Sequence, residues 1–172
     1  MPMHSPYFID IEASGFGRGS YPIEIAIVNG VDPAFCHIVR PAEHWLHWDS
    51  GAESLHGISR EKLMETGMDL RELALLINQQ FAGELLYTDA WGNDSSWLGL
   101  MFNEASILPN FKLETVRMLL DEKQSQLWHS CKRKIIEAAS FNRHRASNDA
   151  NILQQTYQQV MLISKNNSCQ ST

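Results

Sequence analysis

The alternation of apolar and polar residues near the start of the chain predicts a β-strand over residues 7–12 (YFIDIE). Successive side chains of a strand point to opposite faces, so Asp10 and Glu12 share one face with Phe8, and the intervening residues form the other face. Two carboxylates therefore lie side by side on a strand that apolar residues flank. Like charges in a partly dry site repel unless a cation or a proton separates them, which makes this face a candidate site. The alternative is an exposed edge strand with solvated acids.

Further strand patterns follow along the chain. Residues 23–28 (IEIAIV) and 35–39 have strand character, and Asn29-Gly30 between them is a hairpin signal. Together with the first strand they predict a three-stranded antiparallel meander. Residues 85–88 (LLYT) and 111–115 are later strand candidates.

Helical patterns occupy much of the remaining chain. Candidate N-caps precede three of them, namely Ser59, Asp69 and Asn93, and Glu72 completes a possible capping box with Asp69. Because a meander comes first and strands and helices then alternate, the pattern predicts an α/β sandwich built on a mixed sheet. The helical patterns cover residues 60–66, 70–81 and 93–102, much of residues 116–139, and a final stretch that follows a loop at 140–145.

Length and charge limit the kinds of protein that this chain can be. Its 172 residues, 44% hydrophobic and 20% charged, predict one globular domain over residues 1–164 and a polar tail over 165–172. The net charge of -6 argues against a broad basic surface for nucleic acid. It does not exclude a protein that holds a strand end through metal ions, because bound divalent cations supply the local positive charge in such a site.

Cysteine usage and hydropathy predict a cellular location. The three cysteines are odd in number, widely spaced and without a C-x-x-C motif, which favours reduced thiols over a disulfide framework or a zinc site. The residues before the first strand are too few and too polar for a signal peptide, and no apolar run approaches the ~20 residues of a membrane span. We therefore expect a cytoplasmic protein with no membrane partner.

Three later residues are candidates to join the carboxylates of the first strand. Asp94 and Asp149 each lie at the predicted start of a helix, where the helix dipole alone also favours an acid. Ser147 or Asn148 could cap the second of these helices. Four carboxylates provide the hard oxygen ligands of a two-metal site, and His144 adds a group that can accept a proton near neutral pH.

These segments resemble the motifs of one nuclease family. Residues 8–15 (FIDIEASG) resemble the first motif of the DnaQ-like, or DEDDh, 3′-to-5′ exonucleases, and residues 94–98 (DSSWL) resemble the second. Residues 144–150 (HRASNDA) match the third motif, H-x-A-x-x-D-A, and residues 55–59 (LHGIS) resemble the H-G-I segment between the first two. Relatives in this family include the proofreading subunit of the bacterial replicative polymerase, ribonuclease T and oligoribonuclease.

The resemblance implies a ribonuclease H-like fold and a metal-dependent reaction. The fold has a mixed five-stranded sheet, an antiparallel N-terminal meander followed by parallel strands, flanked by helices. By resemblance Asp10 bridges two Mg²⁺ or Mn²⁺ ions, Glu12 and Asp149 complete the first metal site, and Asp94 serves the second. His144 is then the base that deprotonates the attacking water, and the products are nucleoside 5′-monophosphates.

The expected partner is the 3′ end of a single-stranded DNA or RNA. Backbone amides around Ser14 and Gly15 and the ring of Phe16 are placed to meet the terminal nucleotide, since stacking binds bases without demanding a sequence. Phe16 could equally pack into the core. His56, from the H-G-I segment, is the remaining candidate contact with substrate.

Departures from the family pattern leave several alternatives open. The residues before Asp94 are unusual for the second motif, so Asp89 is a rival ligand. A catalytically weak or inactive module that only binds nucleic acid is a second interpretation, and a ribonuclease H-type endonuclease, which does not need His144, is a third. Tryptophans in loop-like segments (Trp45, Trp48 and Trp91) make a homodimer plausible.

Overall fold

Five strands form one mixed sheet in the part of the chain that the computed structural model describes, residues 5–139 and 144–169. The order across the sheet is β3-β2-β1-β4-β5, with β1 antiparallel to β2, β2 antiparallel to β3, and β1, β4 and β5 mutually parallel. The predicted meander and mixed sheet are thus confirmed. The strands are β1 (Tyr7–Ala13), β2 (Pro22–Val28), β3 (Phe35–Ile38), β4 (Leu85–Thr88) and β5 (Lys112–Thr115).

Six α-helices and one short 3-10 helix occur within the same described residues. Ser59 and Asp69 cap the second and third helices through their side chains, as predicted: Ser59 accepts from the amide of Lys62, and Asp69 from those of Arg71 and Glu72. The helices are α1 (Ser50–His56), α2 (Arg60–Thr66), α3 (Leu70–Gln80), α4 (Trp91–Glu104), α5 (Glu122–Ala138) and α6 (Ala146–Cys169), with the 3-10 helix at Val116–Leu119.

Two helix starts differ from the predictions. Helix α4 begins at Trp91, before the predicted cap Asn93, because the carbonyl of Ala90 already accepts from the amides of Asn93 and Asp94. Helix α6 begins at Ala146, before both of its predicted caps. Residues 140–143 of the predicted loop at 140–145 lie outside the described ranges.

The helices cover both faces of the sheet. On one face Ile9 and Ile11 of β1 pack with the apolar residues of α3 and α4, and on the other face Phe8 packs with those of α5 and α6. The odd and even positions of β1 therefore enter different cores, which confirms the predicted alternation. Asp10 and Glu12 consequently lie on the same side as α6.

A third cluster holds the segment between β3 and α3 against the sheet. Tyr21 and Ile23 of the β2 region pack with Trp45, Ile58 and Leu63, each at most 6% exposed. The ring of Trp45 stacks on Tyr21 with centroids 5.3 Å apart. Trp45 is therefore part of the core and offers little surface to a second copy of the chain, and the homodimer stays a prediction.

The last helix passes the predicted end of the domain. Helix α6 continues through Cys169, so residues 165–169 of the predicted polar tail are helical, and residues 170–172 lie outside the described ranges. The division at residue 164 stays a prediction. None of the described helices is both long enough and apolar enough to cross a membrane.

Candidate functional site

One cavity of about 230 Å³ brings together most of the predicted site residues. It opens between the end of β1, the start of α4, the start of α6 and helix α1. Its walls include Asp10, Glu12, Gly15, Phe16, His56, Asp94, His144 and Asp149. The five residues predicted to act in catalysis therefore converge, although the chain brings them from three separate elements.

The start of α6 places an imidazole and a carboxylate over β1. One ligand atom from each of Glu12, His144 and Asp149 lies within 4.8 Å of the other two. The amide of His144 donates to Asp149 Oδ2 at 3.2 Å, and His144 has φ 65°, a left-handed conformation that is uncommon for a residue with a Cβ. Asp149 thus holds the backbone that carries the imidazole.

Asp94 rather than Asp89 lies in the cavity. Asp94 is 1% exposed and accepts a hydrogen bond from the hydroxyl of Thr88, which itself accepts from the amide of Ala90 at 2.9 Å. Asp89 forms an ion pair with Lys132 and is not among the residues that line the cavity. The geometry therefore favours Asp94 as the acid of this site.

The environment of the cavity disfavours the ionised form of its own carboxyl groups. Burial, followed by repulsion from Asp94 and Glu12, raises the pKa of Asp10 well above its usual value. Burial and then Asp149 raise the pKa of Glu12 to about 7, and burial raises the pKa of Asp94 to about 7. No Lys or Arg stands among the described residues that line the cavity.

The donor set of the cavity fits a divalent cation. Carboxylate oxygens are the hard ligands that Mg²⁺ and Mn²⁺ prefer, and Glu12, His144 and Asp149 are close enough together to share one ion. A bound cation would also offset the repulsion that raises the pKa values of the acids. Glu12, His144 and Asp149 are thus the residues whose ligand atoms lie close enough to hold one ion, and Asp10 and Asp94 are the other acids that line the cavity.

His56 lines the cavity and carries a buried nitrogen without a partner in the described part of the chain. Its ring is 5% exposed, and Nδ1 accepts from the amide of Ile58 at 3.1 Å, so the neutral ring carries its proton on Nε2. Burial lowers the pKa of His56, which favours this neutral form. Nε2 has no hydrogen-bond partner among the described residues, and a buried donor without a partner is costly.

The loop after β1 supplies an exposed aromatic ring. Phe16 is 73% exposed, and its centroid lies 6.0 Å from that of Trp97. Of the two packings that the sequence left open for Phe16, the structure has the exposed one. Gly15 just before it has φ +140°, and a Cβ there would lie 2.6 Å from Cβ of Asp49 and 2.8 Å from the ring of His47.

Ser14 lies beneath the cavity and not in its wall. It is fully buried, its amide donates to the carbonyl of Tyr21, and its hydroxyl accepts from the amide of Tyr21 and contacts Nδ1 of His47. Since its amide and hydroxyl are engaged inside the protein, the predicted contact of Ser14 with substrate is not supported. Ser14 instead supports the loop that carries Gly15 and Phe16.

Some residues of the site were not predicted. Ala52 and Leu55 of α1 line the cavity, and Glu24 of β2 anchors the start of α6 by binding Arg145. A signal for Glu24 was present, because it is the one acid in the apolar run of residues 22–28. Helix α1 is seven residues long and was not predicted, although Asp49 caps its start and Gly57 ends it in a left-handed conformation.

Solved structures show where this arrangement of strands and helices has been seen before. The chain is similar to E. coli exonuclease I in complex with a dA16 oligonucleotide, with a TM-score of 0.66 and 15% identity over 85% of this chain and 38% of that one. It is also similar to a moderately thermophilic exonuclease I from Methylocaldum szegediense, with a TM-score of 0.66 and 13% identity over 89% of this chain and 40% of that one.

The chain has the ribonuclease H-like fold of exonuclease I. A further match is the zinc-bound form of an E. coli exonuclease I complex with single-stranded DNA, with a TM-score of 0.65 and 14% identity over 91% of this chain and 39% of that one. No protein-family model matches the chain. No curated protein sequence matches it either. The likeness therefore establishes the fold, and the chain spans about two fifths of the length of these structures.

Proposed function

We propose that the protein is a metal-dependent 3′-to-5′ exonuclease that acts on single-stranded nucleic acid. The observation that carries this proposal is the convergence of four carboxylates and His144 in a single cavity whose described lining has no Lys or Arg. Such a cavity repels phosphate unless divalent cations occupy it. A hydrolase that works on phosphodiester bonds through bound cations accounts for both features.

The residues have separate parts in this proposal. Asp10 would contact both of two Mg²⁺ or Mn²⁺ ions, with Glu12 and Asp149 on the first ion and Asp94 on the second. When bound, the ions would supply an activated water and charge stabilisation at the departing 3′ oxygen. His144 would accept the proton of the attacking water, while Asp149 holds the amide of His144 in place.

The remaining walls would hold the terminal nucleotide. The exposed ring of Phe16 offers a stacking surface for a base, since base–aromatic stacking does not depend on sequence. The unpartnered Nε2–H of His56 would donate to an oxygen of the nucleotide. Single-stranded DNA is the first substrate to test, because the similar exonuclease I structures hold dA16 and single-stranded DNA. RNA of equal length belongs in the same assay.

The test uses the purified chain with 5′-labelled DNA and RNA oligomers of several lengths, with Mg²⁺ or Mn²⁺ and separately with EDTA. We expect a ladder that shortens one nucleotide at a time from the 3′ end, no reaction in EDTA, and no shortening of an oligomer whose 3′ hydroxyl is blocked. Large internal fragments would indicate an endonuclease. Metal-dependent binding of the oligomer without products would indicate a binding module.

Two variants assign the reaction to this cavity. Asp10→Asn should abolish nuclease activity while the melting temperature stays at or above that of the wild type. His144→Gln should lower kcat by about 10²- to 10⁴-fold, the usual contribution of a general base. Glu65→Gln, which alters an exposed acid of α2, is the matched control and should leave activity unchanged. Wild-type rates in Asp10→Asn would falsify the proposal.

A further inference from the structure

Glu24 is a buried carboxylate that the proposed reaction does not use. It lies in the middle of β2, is 1% exposed, and pairs in register with Glu12 of β1. A carboxylate in such an apolar environment is costly unless charged and polar groups surround it. Its partners therefore indicate what it stabilises.

The thiol of Cys36 on β3 donates to Oε1 of Glu24 at 3.7 Å, and the other partners come from the start of α6. Arg145 Nε donates to both carboxylate oxygens of Glu24 at 3.0 and 3.1 Å, and Arg145 Nη2 donates to Oε1 at 2.5 Å. The amide of Ala146 donates to Oε2 at 2.9 Å. Burial alone would raise the pKa of Glu24, but these hydrogen bonds hold it below its ordinary value, so the group is ionised.

Glu24 thereby replaces the missing N-cap side chain of α6. The carbonyl of Arg145 accepts from the amides of Asn148 and Asp149, which makes Arg145 the N-cap residue, and an arginine side chain cannot accept a hydrogen bond from the helix. The first amide of the helix is satisfied by a carboxylate from the sheet instead. This contact ties the start of α6 to the strand next to β1.

The segment held in this way carries two residues of the candidate site. His144 directly precedes Arg145, and Asp149 lies in the first turns of α6, where its Oδ2 accepts from the amide of His144. Because Glu24 is in register with Glu12, one carboxylate sets the position of α6 relative to the acids of β1. A shift of this helix start would move the imidazole and the Asp149 carboxylate together.

We propose that Glu24 is a positioning residue for the candidate exonuclease centre: through Arg145 and the Ala146 amide it holds His144 and Asp149 at metal-binding distance from Glu12. This proposal rests on the function proposed above. Glu24 itself is not among the residues that line the cavity, so it acts through the start of α6 and not by contact with substrate.

The test compares Glu24→Ala, Glu24→Gln and Arg145→Ala with a matched control, Val160→Ala. Val160 is a fully buried residue of α6 in the core cluster that also holds Ala146, so its truncation lowers stability without removing a hydrogen bond of Glu24. All variants are assayed at a temperature at which each is fully folded by circular dichroism. Glu24→Ala and Arg145→Ala should lower kcat by about 10- to 100-fold, as loss of an outer partner of a metal ligand usually does.

Several measurements distinguish a positioning role of Glu24 from a purely structural one. KM should change less than about twofold, because the stacking and hydrogen-bonding walls are untouched, and Val160→Ala should keep the wild-type kcat. Glu24→Gln keeps an acceptor for the Ala146 amide and should recover part of the lost rate. Guanidinium added to Arg145→Ala should do the same, since the Arg145 side chain is 39% exposed and its site can be reached.

A second measurement tests the positioning role of Glu24 separately from the proposed nuclease activity. Mn²⁺ affinity, followed by the rise in melting temperature on titration, should fall about 10-fold or more in Glu24→Ala and stay unchanged in Val160→Ala. If the wild type has no nuclease activity but shows this pattern, the nuclease proposal fails and the positioning proposal stands. If the wild type is an active nuclease while Glu24→Ala and Arg145→Ala keep both kcat and Mn²⁺ affinity within twofold, Glu24 does not position the site.

Discussion

Replacing Asp94 by Asn should make the metal-free protein more stable above neutral pH. Asp94 is 1% exposed, and burial raises its pKa from 3.8 to about 7. At 1.36 kcal/mol for each pH unit between the two values, ionised Asp94 destabilises the folded protein by up to about 4 kcal/mol. Asn removes this charge and keeps a carbonyl oxygen that can accept from the hydroxyl of Thr88.

The sign of the pH dependence follows from the raised pKa. Below pH 4 Asp94 is protonated in both the folded and the unfolded chain, and it makes no difference to stability. Between pH 4 and about 7 the unfolded chain loses its proton first, so the free energy of unfolding of the wild type falls as pH rises. Asp94→Asn lacks this component, and the gap between the two proteins should therefore widen up to about pH 8.

Urea unfolding in EDTA at pH 5, 6, 7 and 8 measures this gap. We expect Asp94→Asn to exceed the wild type by about 1–4 kcal/mol at pH 8 and by less at pH 5, while Glu65→Gln stays within about 0.5 kcal/mol of the wild type. Saturating Mn²⁺ should stabilise the wild type more than the variant, because the proposed metal site would lose one carboxylate. If Asp94→Asn is no more stable than the wild type at any of these pH values, the electrostatic account of the cavity is wrong.

Three further predictions concern the walls of the cavity. Phe16→Ala should raise KM for single-stranded DNA by about 5- to 100-fold with little change in kcat, since stacking contributes ~1–3 kcal/mol per base. The control Leu46→Ala removes an equally exposed apolar residue outside the cavity and should leave KM unchanged. If both variants raise KM equally, Phe16 does not stack on a base. His56→Phe should lower kcat/KM by about 10-fold or more, because a hydrogen bond to a charged group contributes ~1.5–3 kcal/mol; unchanged kinetics would mean that Nε2 meets no nucleotide. Gly15→Ala should lower the free energy of unfolding, measured by urea titration, by about 1–3 kcal/mol, because the new Cβ overlaps Asp49 and His47. An unchanged free energy of unfolding would contradict the close packing of this loop.

The sequence alone determined the local features of the site. Period-two alternation put Asp10 and Glu12 on one face of β1, and the structure confirms that face. Side chains that can cap a helix, Ser59 and Asp69, correctly marked the starts of α2 and α3. Each of these features depends on residues only a few positions apart, for which local propensity and hydrogen bonding are sufficient.

Local patterns failed where distant contacts decide the conformation. Helix α1 has too few residues for a clear periodicity, and packing of its flanking segment against β2 holds it in place. The amide and hydroxyl of Ser14 are occupied by Tyr21 and His47, which no nearby pattern indicates. The start of α6 depends on Glu24, which lies far away along the chain.

The amino-acid sequence determined which chemical groups the protein has and which face of each element they occupy. Only the tertiary structure decided that β1, α4 and α6 meet at one cavity, that Asp94 enters it, and that Asp89 is paired with Lys132 outside it. The reason is that relative positions of elements follow from packing both faces of one sheet at once. That packing is a property of the whole chain and not of any segment of it.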